Sequence, residues 1–103
     1  MATAAGQASD LLKSLASPHR LMILCRLIQG EAAVRDLAAL LGLRESTVSQ
    51  HLGLLRRDGL VRTRRDGQTI WYSIASDEAQ AVMETLFRLF CLPNAGCATE
   101  AAP

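Results

Sequence analysis

Two sets of residues in this 103-residue chain have types and spacing that carry chemistry: three cysteines, Cys25, Cys91 and Cys97, and a run of arginines. A thiolate attacks oxidised sulfur and binds soft metals, whereas guanidinium groups in number suit phosphate. Six arginines (Arg44, Arg56, Arg57, Arg62, Arg64 and Arg65) stand against two acids, Glu45 and Asp58, in one short segment, a local balance of +4 on a remainder of −3. The whole-chain charge of +1 hides this segregation. A basic segment on a mildly acidic body is the footprint of a module that meets phosphate locally. A solvated charged face is the bland meaning of such a run, and charge alone does not choose between them.

Enzyme chemistry finds little support. There is no Cys-x-x-Cys beside a βαβ pattern, no phosphate loop, no nucleophile elbow and no plausible pair of catalytic carboxylates. No cofactor is expected. Met1 to Ser9 has neither the charged start nor the apolar core of a secretion signal, and no apolar run is long enough to span a bilayer. A cytoplasmic protein with no membrane contact is therefore expected. In that reducing compartment an odd number of cysteines argues against a structural disulfide framework.

The elements that must position these residues follow from periodicity and punctuation. The length suits one domain over residues 1–92, with a loose tail over 93–103. Leu11, Leu12 and Leu15 place a first helix over about Ala8 to Ala16. Ser17 as cap and Pro18 as first helical residue open a second, to about Gln29, with Leu21, Leu24, Cys25 and Ile28 on one stripe. A third helix is expected over Ala32 to Leu41 and a fourth over Glu45 to Arg57, joined by a turn at Gly42. Leu60 to Arg65 and Thr69 to Ile74 read as strands joined at Asp66-Gly67. A last helix over Asp77 to Cys91 is broadly apolar and stops at Pro93. The expected class is mainly α with a small β-hairpin: five helices and a two-stranded wing in the order ααααββα.

Two short helices joined by a glycine turn, followed by a basic hairpin, have a mechanical reading as a winged helix-turn-helix. The second helix of the pair fits the DNA major groove and its polar face reaches base edges. Here Ser46, Thr47, Ser49, Gln50 and Gly53 oppose the apolar stripe of Val48, Leu52 and Leu55. Gln50 suits bidentate pairing with adenine. Arg44 and Arg56 flank the helix at positions suited to phosphate, and Arg62, Arg64 and Arg65 form a wing that follows the backbone or minor groove. A module that only binds protein would have no use for those arginines beside a polar helix face.

The runs LKSLASPHRLMIL, STVSQHLGLLRRDGLV and RRDGQTIWYSI resemble the ArsR/SmtB family of bacterial repressors over about Leu11 to Cys91. The resemblance implies a homodimer built mainly from the first and last helices, a near-palindromic double-stranded operator, and an inducer that weakens the hold on DNA. His51 matches a position where that family commonly has histidine; packing or phosphate contact fits it better than metal ligation. His19, at a helix start, reads as a surface residue. Arg44 departs from the Ser or Asp with which the family often caps this helix, and Ser46 is expected to take over the cap.

The family's metal sites do not carry over. Its arsenic and cadmium sensors have ELCVCDL where this chain has Glu31-Ala32-Ala33-Val34-Arg35-Asp36-Leu37, without either thiol. Its zinc and nickel site needs histidine on the last helix, which offers Asp77, Glu78 and Glu84 alone. Cys25 and Cys91 instead resemble the thiols of the persulfide- and redox-sensing branch typified by SqrR and BigR. There the matching pair joins through a disulfide or polysulfide bridge, driven by small reactive sulfur species, and DNA is released. Cys25 taken alone reads first as a small core hydrophobe on an apolar stripe. Cys97 leaves a further alternative open, an arsenite site made of Cys91, Cys97 and a third thiol; it also reads as a simple tail thiol.

Overall fold

Ser17 and Pro18 begin a helix as their chemistry requires. The Ser17 hydroxyl accepts from the Arg20 amide at 3.3 Å, and Pro18, lacking an N–H, occupies the first turn. In the computed structural model, which describes residues 3–90, this helix is the second of five. The elements are α1 (Ala4–Leu15), α2 (Pro18–Leu27), β1 (Ala32–Ala33), α3 (Val34–Leu41), α4 (Glu45–Arg57), β2 (Val61–Asp66), β3 (Thr69–Ile74) and α5 (Asp77–Phe90). Five helices with an antiparallel hairpin wing match the expected class. Cys91, the expected end of the last helix, and the tail to Pro103 lie outside the described residues.

Three local differences from the sequence reading have physical causes. Helix α1 begins at Ala4 rather than Ala8, because the Thr3 hydroxyl accepts from the Gly6 amide at 2.9 Å and caps it. Ala32 and Ala33 are strand rather than helix: they pair with Tyr72 and Trp71, so the hairpin gains a third strand in the order β1-β3-β2. Alanine favours helix by itself, but both residues are buried, and a partner strand satisfies their backbone groups there. Helix α3 therefore starts at Val34, where the Asp36 carboxylate accepts from the Ala33 amide at 3.1 Å.

The wing turn also moves by one residue. Asp66 pairs with Thr69, leaving Gly67-Gln68 as the loop, with Gly67 at φ 65°. A two-residue hairpin loop whose first central residue alone has positive φ has the type II′ signature, which glycine meets without strain.

Helix α2 is the hub of the packing, touching α1, α3, α4, α5 and β3. Ile23 and Leu24 from α2, Leu37 from α3, and Val48, Leu52 and Leu55 from α4 are fully buried together. Among the described residues no polar or charged side chain is buried in this core. Dispersion and apolar burial thus hold α3 and α4 in place.

Candidate nucleic-acid interface

Helix α3 ends at Gly42, whose φ of 70° lets the chain reverse into α4. A side chain at that φ would be strained, although a Cβ there would meet no neighbour. The reversal lays α4 across α3 and divides its residues sharply. Val48, Leu52 and Leu55 face the core, while Arg44, Ser46, Ser49, Gln50, Gly53, Arg56 and Arg57 are exposed. Thr47 and His51 are half-buried, so Thr47 is less available than its place opposite the apolar stripe suggests.

Ser46 does not cap α4. The N-cap is Arg44, which has no cap hydrogen bond from its side chain, and Ser46 lies one residue inside the helix. A capping hydroxyl must sit on the N-cap residue to reach the amide two or three positions on. The start of α4 thus carries the exposed Arg44 and, at its first helical position, the Glu45 carboxylate, which complements the positive end of the helix dipole.

The three wing arginines have unequal surroundings. Strand alternation turns Arg62 and Arg64 to one face of the sheet and Arg65 to the other. Arg64 donates twice to Glu31, Nε to Oε2 at 2.9 Å and Nη2 to Oε1 at 2.7 Å, and its Nη1 is 4.0 Å from Asp66. This pairing holds the Glu31 carboxyl below its ordinary range and raises Arg64. Among the described residues, neither Arg62 nor Arg65 forms an ion pair, and both are exposed.

His19 and His51, 32 positions apart in sequence, meet edge-on with ring centroids 5.5 Å apart. His51 Nδ1 is buried and has no hydrogen-bond partner. Burial lowers the His51 pKa below its ordinary value, and the charges of Arg20 and His19 on α2 lower it further. An unfolded chain therefore takes up this proton near pH 6.5, while the folded one resists it. Stability is expected to fall as the pH drops below about 6.5 and through the lowered folded value. Thermal melts at pH 7.5 and pH 5 should show His51→Leu losing less over this window than the unaltered chain. Equal losses would remove His51 from the account.

Cys25 lies on α2, 5% exposed, against a cavity of about 200 Å³ between α2 and α5. Leu21, Met22, Met83, Leu86, Phe87 and Phe90 complete its wholly apolar lining. Cys91 and Cys97 lie outside the described residues. Among the described residues no group of three or more His, Cys, Asp or Glu is placed to hold a metal ion, and no helix is long and apolar enough to cross a membrane.

Arg44, Ser46, Ser49, Gln50 and Arg56 are exposed on or beside α4, and Arg62 and Arg65 are exposed on β2. Sequence reasoning missed Glu31 and the partnership of His19 with His51. Neither leaves a local signal, since both depend on contacts between residues more than 30 positions apart.

Comparison with known proteins agrees with this geometry. The family described as bacterial regulatory protein, arsR family, matches residues 17–63. The transcriptional activator HlyU of Vibrio cholerae is 49% identical over 84 residues, spanning 82% of this chain and 78% of HlyU. A solved structure of reduced HlyU superposes with a TM-score of 0.83 at 46% identity, covering 85% of this chain and 93% of that one. The biofilm growth-associated repressor of Agrobacterium fabrum is 47% identical, over 87% of this chain and 77% of the repressor. The homodimeric winged helix-turn-helix DNA-binding domain of Mb0332 from Mycobacterium bovis, a possible ArsR-family regulator, has a TM-score of 0.73 at 34% identity, covering 82% and 79%. With a helix-turn-helix, a basic wing and relatives of nearly half identity over most of its length, this chain belongs to the arsR family of DNA-binding transcriptional regulators.

Proposed function

We propose that the protein is a homodimeric, cytoplasmic repressor that holds a near-palindromic operator and lets go when Cys25 and Cys91 are joined by reactive sulfur species. The observation that carries the DNA half of this reading is the division of α4, with Val48, Leu52 and Leu55 buried and Ser46, Ser49 and Gln50 exposed. Helix α4 enters the major groove, its polar face meets base edges, and the β2–β3 wing follows the phosphates.

Dimerisation is supported by the most exposed large apolar side chains among the described residues. Leu12 on α1 and Leu89 and Phe90 on α5 are 61%, 63% and 80% exposed. They sit on the two helices that the family resemblance assigns to the dimer, and the related Mb0332 domain is homodimeric. Covering them with a second copy removes apolar surface from water.

The sensing half rests on Cys25 and on the likeness to relatives, one of which has been solved in a form described as reduced. The Cys25 thiolate attacks the terminal sulfur of a low-molecular-weight persulfide, becomes a persulfide itself and expels the donor's thiolate. The Cys91 thiolate then attacks the inner sulfur, forming a disulfide and expelling hydrosulfide, so the transferred sulfur is the oxidant that is reduced. A bridge between Cys25 on α2 and Cys91 restrains the helix against which α4 packs, and a few kcal/mol of preference for the poor-binding state suffices to empty the operator.

Fluorescence anisotropy on DNA from upstream of the protein's own gene tests both halves. Reduced protein should bind, and a glutathione persulfide donor should release it. Release should be abolished in Cys25→Ser and Cys91→Ser but kept in Cys97→Ser. Release by arsenite alone, dependent on Cys97, would make the protein a metalloid sensor through Cys91, Cys97 and a third thiol.

A further inference from the structure

The pairing of Glu31 with Arg64 reaches beyond the wing. Glu31 stands between α2 and β1, 33 positions from Arg64. Its backbone is tied to α2 by Arg26, which donates Nη1 to the Gly30 carbonyl at 3.1 Å and Nη2 to the Glu31 carbonyl at 3.5 Å. Its carboxylate takes both prongs of the Arg64 guanidinium. A line of contacts therefore runs from the helix that anchors the core, through Glu31, to the middle of the outer wing strand. Ala33, Trp71 and Arg64 are successive register partners across β1, β3 and β2, and Glu31, two residues before Ala33 in the chain, accepts from the Arg64 side chain.

The Arg64 and Glu31 side chains are 54% and 37% exposed, and ion pairs of that exposure add little to stability. Orientation is a different matter. A planar guanidinium gripped at two nitrogens fixes both distance and angle, which a single contact does not. Asp66 stands on the other side of the same guanidinium. With two carboxylates around it, Arg64 presents little net positive charge to a phosphate, in contrast to Arg62 and Arg65.

We propose that Arg64 is a positioning residue rather than a phosphate contact, a strap through which Glu31 sets the angle of the wing so that Arg62 and Arg65 meet the DNA backbone. The proposal rests on the DNA-binding reading above. It predicts opposite signs from the alternative in which Arg64 itself grips phosphate. If Arg64 gripped phosphate, Glu31 would be its competitor and removing the Glu31 charge would tighten binding. For a strap, the same change loosens the wing and weakens binding.

The test is anisotropy of the full chain on the upstream duplex across a series of KCl concentrations, together with hydrogen exchange of the β2 and β3 amides in the DNA-free protein. Arg65→Ala should weaken binding and flatten the slope of log K against log salt by about 0.9 for each phosphate left without its cation. Glu31→Gln and Arg64→Ala should each weaken binding several-fold with the slope unchanged, and each should speed wing amide exchange several-fold. Tighter binding by Glu31→Gln, a flattened slope in Arg64→Ala, or unchanged wing exchange in both variants would overturn the strap. Failure of the unaltered chain to bind the duplex would count against the DNA reading alone, and the exchange rates would then decide the strap by themselves.

Discussion

Leu52→Ala is expected to lower the free energy of unfolding by about 2–5 kcal/mol, a large share of what a domain of this size has. Leu52 is fully buried on α4, the helix that packs against α3, α2 and β2. Truncating it strips packing from all sides of a dense site, and the cavity left behind adds to the forfeited transfer energy. Leu54 is the internal comparison. It lies two residues on, at 39% exposure, and its truncation should cost a small fraction of the same amount. Urea unfolding followed by circular dichroism reads both, as a fall in the midpoint with the slope retained. Equal losses at the two positions would contradict the face assigned to α4, and with it the choice of Ser49 and Gln50 as the outward residues.

Gln50→Ala is expected to lower affinity for the operator by about tenfold or more while leaving binding to a scrambled duplex little changed. Gln50 is exposed on the face of α4 opposite Leu52 and Leu55, and its amide can donate and accept against the edge of adenine. Such a bidentate pair contributes about 1–3 kcal/mol of discrimination, and the homodimer proposed above would make the contact twice. Phosphate contacts carry no such preference, so the ratio of the two affinities separates the roles. Equal losses on both duplexes would reassign Gln50 to the backbone, and no loss on either would remove it from the interface. Arg62→Ala serves as contrast: it should weaken both duplexes alike and reduce the salt slope.

These expectations divide along the same line as the legibility of the chain. Helix α2 is readable because its start is local chemistry, a hydroxyl and an imino acid side by side at Ser17 and Pro18. Helix α4 is readable to the residue, Glu45 to Arg57, because Val48, Leu52 and Leu55 repeat at the helical period. From these two, the glycine turn and the basic hairpin, the class of the fold and the exposed polar face of α4 follow. Ser46 is not the cap its hydroxyl suggests, because a cap depends on which residue holds the extended φ and ψ, and Arg44 holds them.

By itself, then, the sequence determined the order of helices, the polar face of α4 and the segregation of charge, all of which depend on residues within a few positions of one another. Tertiary structure decided what those residues meet. Two alanines became a strand because β3 offered an edge, and His51 came to rest against His19. One wing arginine of three was claimed by Glu31. Each of these joins segments 30 or more positions apart, and no local periodicity encodes a contact that exists only once the chain has closed on itself.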